Sequence, residues 1–580
     1  MAVGPGDNSD GQRKKITMNA EPVNADNLSK EKTMGLQSEK MSTYLDGERV
    51  PHFKSLSGIE YKEVYTKSDW DGDISDPGKY PFTRGIHKDM YRHRLWTRRQ
   101  QSGFGSPEES NDRIKYLLSI GQTGINMDTD VGTKLGLDPD YPLARAGVGL
   151  QGTSLCTYED MRTLFKDIPL DQVSSTLIVQ PPYSAVIMSQ YLLLAKERGI
   201  PWERLIGTIM NCAFTQFVGP TFQSATSFFP IDLTVKIGLD VMEYLVPRSP
   251  RWNIVNLNAY NVRECGVNAV QEAAFSMSLA SDYIQGLISR GLEVDSFARR
   301  IAFFSAAHMD LFEEVAKLRA MRRIWARMLK EKFGAKNEKS MWFRTAIQTA
   351  ALPLTAQQPL NNIVRATLQT LAAVLAGTQS IHTTGYDEAY SLPTEESHKL
   401  SIRTQQIIAY ESKVTNSADP LGGSYMLERM TDDIEEKIWE LMKIIEDKGG
   451  FIQCFKEGWV EDQINEARHK MAADIESGAQ PVVGVNLFQE EDEEVRINIF
   501  RHSSDMQARM IEHIQEYKQK REQEPVQRAL DRLYSLTRNK SEDNFFEAIM
   551  AAVEAKATLQ EICDAMRRAS DFEIPGQEKW

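Results

Sequence analysis

The 580-residue chain is expected to fold as an α/β protein on a (β/α)8 TIM barrel, with an N-terminal extension and a helical C-terminal tail. Three observations carry that expectation. Between about residues 80 and 430, short β-branched runs alternate with longer stretches of helical periodicity, the pattern of βα units on a parallel sheet. The runs recur roughly every 35 to 50 residues, enough for a crossover of a dozen residues and its loops. Most of them also close on polar or aromatic residues, where a barrel places its functional mouth: Asp128 and Asp130, Gln180, Asn211, Tyr260 and Asn261, Gln348, His382 and Thr383.

Residues 1–60 are polar and nearly free of aromatics over most of their length, so they are expected to form a largely disordered arm. Residues 61–430 are assigned to the catalytic barrel. Its expected strands are GINMDTD (124–130), STLIVQ (175–180), GTIMN (207–211), NIVNLNAY (253–260), RIAFFSA (300–306), RTAIQTA (344–350) and SIHTTGYD (380–387), which leaves one strand of eight unassigned. Phe312 to Lys332 spaces Val315, Leu318, Ile324, Met328 and Leu329 as an amphipathic helix closed by Gly334. Thr431 reads as the N-cap of a second helix, followed by Asp432 and Asp433 and running to Gly449 and Gly450, within a helical linker region over 431–490. The acidic run Glu490 to Glu494 marks the boundary to a charged, helical tail over 491–580.

Composition excludes several classes. With 41% hydrophobic and 26% charged residues the chain reads as an ordinary globular protein. It has no apolar run of about eighteen residues and no signal-peptide core, so a cytoplasmic protein without membrane partners is expected. The balance of 68 basic against 81 acidic residues, a net charge of -13, disfavours nucleic acid. Cys156, Cys212, Cys265, Cys454 and Cys563 are too scattered for a disulfide framework or a CxxC metal site, and the nine histidines lack HxxxH and HExxH spacing, so no protein-ligated metal is expected. GxSxG, GxGxxG and GxxxxGK[ST] are all missing. A polar-mouthed barrel without nucleophile or metal must borrow its reactivity from a bound group.

One segment stands out from the acidic background. YPFTRGIHKDMYRHRLWTRRQQSGFG (80–105) carries Arg84, Lys88, Arg92, Arg94, Arg98 and Arg99 against the single acid Asp89 between 84 and 99, a cluster suited to polyphosphate. Met90, Tyr91, Trp96 and Phe104 between them can pack a base or an acyl-pantetheine arm.

This segment, with Glu109 to Asn111, resembles the large-subunit signature of the methylmalonyl-CoA mutase family, the adenosylcobalamin-dependent acyl-CoA mutases. Matching blocks follow in order: DMRTLFKDIPLD (160–171), EVAKLRAMRRIWA (314–326), LTAQQPLNNIVR (354–365), GTQSIHTTGYDEA (377–389), DPLGGSY (419–425) and VVGVNLF (482–488). The resemblance covers about residues 60 to 490 and implies a barrel threaded along its axis by CoA, with adenosylcobalamin at the mouth. By motif position it implies that His87, Asp89, Met90, Arg94, Thr97 and Arg99 line the CoA channel, where the family usually has Tyr and Thr in place of His87 and Asp89. It further places Thr208 and Met210 at the substrate, Gln101, Asp128, Tyr260 and Asn261 at the reacting centre, and Gln348, Thr384, Glu388 and Ala389 at the cofactor.

Fused family members carry a DxHxxG motif whose His ligates cobalt. The residues two before the nine histidines here are Val50, Gly85, Tyr91, Ala306, Ser380, Glu396, Ala467, Phe500 and Ile511, none of them Asp. The resemblance therefore implies a separate small cobalamin-binding subunit that supplies the cobalt ligand, in a heterodimer or heterotetramer. Methylmalonyl-CoA mutases hold the free carboxylate with a Tyr after the RQ pair and an Arg beyond the GTIQND strand. Here Gln101 takes the first place, and no Arg lies between Ile209 and Lys236. A buried carboxylate without a cation is costly, so a dicarboxylic acyl-CoA is disfavoured. Asp128 matches an Asp of the hydroxyacyl branch, the 2-hydroxyisobutyryl-CoA mutase large subunits, and suits a hydrogen bond from an acyl hydroxyl. Further departures are Met210 for a Gln, Asn261 for a His, and Leu177 and Val179 in the second strand. The expected substrate is a branched or hydroxylated, non-dicarboxylic acyl-CoA of the 2-hydroxyisobutyryl-CoA/3-hydroxybutyryl-CoA type. Methylmalonyl-CoA, isobutyryl- or pivalyl-type esters, and an inactive barrel acting as a binding partner remain the alternatives.

Overall fold

The computed structural model describes residues 53–218, 228–490, 497–503, 505–572 and 574. Most of the expected arm and the acidic boundary from 491 onward lie outside the described residues. Among the described residues there are ten strand segments: β1 (Thr97–Arg98), β2 (Gln101–Ser102), β3 (Gly124–Asp128), β4 (Ser174–Ile178), β5 (Gly207–Ile209), β6 (Trp252–Asn253), β7 (Val255–Asn258), β8 (Ile301–Ala307), β9 (Thr345–Thr349) and β10 (Ser380–His382). They pair in the orders β1-β10-β9-β8-β7 and β2-β3-β4-β5-β6, with every pairing parallel.

These two sheets are one barrel. Only Arg99 and Gln100 separate β1 from β2, and only Ile254 separates β6 from β7, so each pair is a single interrupted strand. Hydrogen bonds bridge the interruptions: Arg99 N donates to Ile381 O at 3.0 Å, Ile254 N to Arg300 O at 3.0 Å and Asn256 N to Met210 O at 2.9 Å. The ring thus holds eight strands. Seven coincide with the expected runs, and the eighth, β1/β2, lies inside the basic segment.

Side chains facing out of the barrel, among them Ile125, Met127, Leu177, Val179, Leu257 and Phe303, are fully buried beneath the helices. The inward positions are different. Thr97, Asn126, Thr176, Thr208, Asn256, Ala302, Ala346 and Ser380 are small or polar where a filled barrel carries bulky branched residues, and they leave a cavity along the axis. The expectation for the second strand is corrected by one position: its inward residues are Thr176 and Ile178, while Leu177 and Val179 belong to the outer core.

The helix predicted from Phe312 runs Leu311–Arg327 and continues as a π-helical turn over Met328–Lys332. Asp310 caps it by accepting from Glu313 N at 3.2 Å, and Gly334 supplies the left-handed turn at φ 68°. Its inner face carries ions as well as apolar residues. Lys317 Nζ lies 2.7 Å from Glu272 Oε2, donates to the Ala306 carbonyl at 2.8 Å and pairs with Glu314, which also accepts from Arg263 at 3.1 Å. Arg319 joins Asp419 at 2.6 Å and Glu428, and Arg84 reaches the same Asp419 at 3.0 Å. The expected N-cap at Thr431 is incorrect. The helix is Tyr425–Asp447, and the Thr431 hydroxyl donates back to Leu427 O at 2.7 Å inside it.

The tail forms helices Met506–Lys520, Gln523–Arg538, Phe546–Glu554 and Leu559–Ala569. It is tied to the loop after β3: Thr558 Oγ1 donates to Asp138 Oδ2 at 2.7 Å, and Asp138 N donates to Gln560 Oε1 at 2.9 Å. All five cysteines are buried and free. No helix of the described residues is long and apolar enough to cross a membrane.

Removing Lys317 strands Glu272 and Glu314 in the core, so Lys317→Met is expected to cost about 3–5 kcal/mol in urea unfolding. Lys443→Ala, which breaks an exposed pair with Asp447, is expected to cost about 0.5 kcal/mol or less.

Candidate active site in the barrel axis and mouth

The axial cavity encloses about 660 Å3 and runs from the N-terminal ends of the strands toward the mouth. His87, Asp89, Met90, Arg94, Thr97, Arg99, Thr208 and Met210, far apart in sequence, all lie on its wall. Met90 is buried and follows Asp89 into the short 3-10 turn Met90–Arg92, while His87, Asp89 and Arg94 remain exposed at the entrance. The His87 ring stands edge-on to Trp342 at 5.0 Å.

The basic cluster divides into three. Arg84 is paired with Asp419, Arg98 turns away to donate to Gly121 O at 2.9 Å, and exposed Arg92 borders a separate surface pocket with Thr415 and Asn416, so none of the three serves the cavity. Lys88 and Arg94 stay at the entrance, joined there by His93 and Arg344, and among the described residues no carboxylate lies within ion-pair distance of any of these four. Arg344, which sequence reasoning missed, donates to Asn253 Oδ1 at 3.2 Å and Arg299 O at 3.1 Å. Burial, then the charges of Arg299 and Arg94, lower its pKa, and His87 is lowered by burial and by Arg344, His93 and Arg94. These mutual depressions describe a cationic funnel whose charges repel until an anion enters.

Arg99 is the third part. Its Nη1 donates to Ile125 O at 2.7 Å, Ser174 O at 3.1 Å and Thr176 Oγ1 at 2.8 Å, and Nη2 to Ser174 Oγ at 2.8 Å. One buried guanidinium therefore spans three neighbouring strands, and burial lowers its pKa to about 10. Deeper in, Asn256 presents an Oδ1 that has no hydrogen-bond partner, and Met210 Sδ accepts from Asn258 Nδ2 at 3.6 Å.

His382 forms part of both the axial cavity and a smaller pocket of about 80 Å3 at the mouth. Its Nδ1 accepts from Gln101 N at 2.7 Å, and burial lowers its pKa to about 3, so the ring is neutral. Gln101, Asp128 and Glu388 surround the mouth pocket together with Arg113, His398 and Phe500. Asp128 ends β3, and its carboxylate is already engaged: Gln101 Nε2 donates to Oδ2, while Oδ1 receives Thr129 N at 2.9 Å and Lys134 Nζ at 2.8 Å. Lys134 was not legible as a site residue because its partner is six positions away across a strand end.

The remaining expected residues lie around this rim. Gln348 Nε2 donates to Tyr260 Oη at 3.0 Å, and the Tyr260 ring packs on Phe304 at 5.3 Å. Asn261 donates its backbone N–H to Asn258 Oδ1 at 3.1 Å and is not on the cavity wall. Thr384 is occupied by Thr349, which receives its hydroxyl at 2.6 Å, and Ala389 is exposed. The second expected substrate-facing stretch, near Pro220, lies outside the described residues.

Two rim carboxylates have pKa values raised far above their usual range. Burial, opposed by hydrogen bonds from Ala351 and Leu352 N–H, pushes Glu264 to about 8, and burial with the neighbouring Asp387 pushes Glu388 to about 7. A folded pKa above the unfolded value gives stability that is complete below about 4.5 and lost as pH rises through 7 to 8. Glu388→Gln is therefore expected to raise the thermal midpoint by about 1–3 °C at pH 8.5, and by less at pH 5.5.

The family model described as methylmalonyl-CoA mutase matches residues 54–572. The 2-hydroxyisobutanoyl-CoA mutase large subunit of Aquincola tertiaricarbonis is 38% identical over 524 residues, 90% of this chain and 92% of that protein. Methylmalonyl-CoA mutase of Rhizobium meliloti (strain 1021) is 35% identical over 515 residues, 88% of this chain and 71% of that protein. The mitochondrial methylmalonyl-CoA mutase of Homo sapiens is 36% identical over 512 residues, with coverage of 88% and 68%. With its closed barrel, open axis and these matches, the chain belongs to the methylmalonyl-CoA mutase family.

Proposed function

We propose that this chain is the large, acyl-CoA-binding subunit of an adenosylcobalamin-dependent mutase. Its substrate in this reading is a branched or hydroxylated, non-dicarboxylic acyl-CoA of the 2-hydroxyisobutyryl-CoA/3-hydroxybutyryl-CoA type. The observation that carries the reading is the axial cavity, with unpaired cations at one end and a neutralised carboxylate, Asp128 with Lys134, at the other.

The funnel of Lys88, Arg94 and Arg344 matches the phosphates of CoA, and the small polar walls leave room for an extended pantetheine arm. Asn256 Oδ1, unpartnered, can accept an amide N–H of that arm. Thr208 and Met210 narrow the inner end, and Gln101 with Asp128 meets the acyl group where the cavity approaches the mouth. The rim fits a nucleoside: Glu388, whose pKa burial raises to about 7, and the Gln348–Tyr260 pair offer donors and acceptors, and buried His398 Nδ1 has no partner. These residues would hold the adenosyl end of the cofactor, which when bound supplies the radical chemistry for skeletal rearrangement. The chain itself positions the acyl group and shields it from water. The large-subunit relative from Aquincola tertiaricarbonis, matched over 92% of its length, supports a second, small subunit as the source of the cobalt ligand, in a heterodimer or heterotetramer.

The test is reconstitution with a small DxHxxG protein, adenosylcobalamin and a panel of C4 to C6 acyl-CoAs. Isomerised thioester from a hydroxylated branched ester, and little from methylmalonyl-CoA, is the expected result; turnover by the chain alone, or of methylmalonyl-CoA in preference, contradicts it. In the same assay, Arg94→Ala with Arg344→Ala is expected to raise KM for the acyl-CoA about tenfold or more and to flatten its dependence on salt, with kcat little changed.

A further inference from the structure

Lys134 lies on the short helix Val131–Leu135, six residues beyond Asp128, and that helix is held firmly. Asp130 Oδ1 accepts from Thr133 N at 2.8 Å, and its Oδ2 accepts from Gly149 N at 2.9 Å. The anchoring carries Lys134 Nζ to 2.8 Å from Asp128 Oδ1, with side chains 17% and 11% exposed. Asn126 faces the axial cavity, and Asp128, two residues further along β3, keeps the same inward parity.

We propose that Lys134 is a positioning residue for the acyl pocket. It and Gln101 clamp the two oxygens of Asp128, so that the carboxylate presents its remaining lone pair to an acyl hydroxyl and the pocket takes an uncharged hydroxyacyl group. This rests on the reading of the substrate given above and names what enforces it.

The argument is one of counting and charge. An ionised carboxylate offers about four acceptor positions. Lys134, Thr129 N and Gln101 fill three of them, which leaves about one for the substrate. A hydroxyl completes the set, whereas an alkyl acyl group leaves the buried acceptor dry, a loss that discriminates strongly. A second carboxylate would meet the charge of Asp128 at close range while Lys134 is already engaged, so it gains no free cation. Without Lys134, the carboxylate carries an uncompensated charge and keeps only Gln101 and Thr129 N as partners.

The experiment measures affinities of the full chain for 2-hydroxyisobutyryl-CoA and isobutyryl-CoA by calorimetry, in wild type, Lys134→Gln and Lys134→Arg. The hydroxyacyl-to-alkyl affinity ratio is expected to fall about tenfold in Lys134→Gln and to recover in Lys134→Arg. A purely structural role would weaken both esters alike. A ratio within twofold of wild type, or equal losses for both esters, would overturn the assignment. The binding ratio needs no turnover, so a reconstituted enzyme inactive on every hydroxyacyl ester would count against the proposed reaction and leave the role of Lys134 to be read separately.

Discussion

The rest of this structure depends on a barrel that is not filled. Small and polar residues at its inward positions remove the packing that closes other barrels of this class, and the ring must be held open by directional bonds instead. Arg99 does much of this. Its guanidinium, desolvated and without a carboxylate partner, takes its acceptors from β3 and β4 while its backbone N–H holds β10. That ties three strands on either side of the interruption in β1/β2, at the place where the sheet register would otherwise slip. The same arrangement makes the cavity wall polar, so the site and the scaffold share one set of hydrogen bonds.

Electrostatics outside the bore follows a second division. The acidic surplus of the chain is balanced locally in buried networks such as Lys317 with Glu272 and Glu314, or Arg319 with Asp419 and Glu428. Those networks lock the helix Leu311–Arg327 to its neighbours and to the strand ends. At the entrance the balance shifts: Lys88, Arg94 and Arg344 line the cavity against the single acid Asp89. A net charge of -13 thus coexists with a local cationic funnel, which would concentrate a polyanion at one end of the axis and leave the other end for uncharged chemistry.

Much of this was legible in sequence. Seven strands announce themselves by β-branched residues, and the strand-end polar residues Asp128, Gln348 and His382 do lie at the mouth. The eighth strand hides because TRRQQS has no apolar face: its inward Thr97 and Arg99 line the axial cavity and its outward Arg98 is satisfied by a backbone carbonyl. Parity along the second strand was misplaced by one residue because SSTLI passes from polar to apolar without alternating, and only the pairing with β3 and β5 fixes which side faces the axis. Thr431 looked like a cap because its hydroxyl could serve as one, but the chain starts the helix earlier at Tyr425. Lys134 and Arg344 could not be found by spacing, since each acts across a strand end or across the barrel.

The central claim is that the open axis is the acyl-CoA site. Its most direct test is calorimetric titration of 2-hydroxyisobutyryl-CoA into the full chain and into Ala302→Trp, which places an indole in the bore without removing any contact of the wall. Wild type should bind one ester per chain and the variant should lose at least about a hundredfold in affinity, with its unfolding midpoint retained. Equal binding by the two proteins would contradict the account.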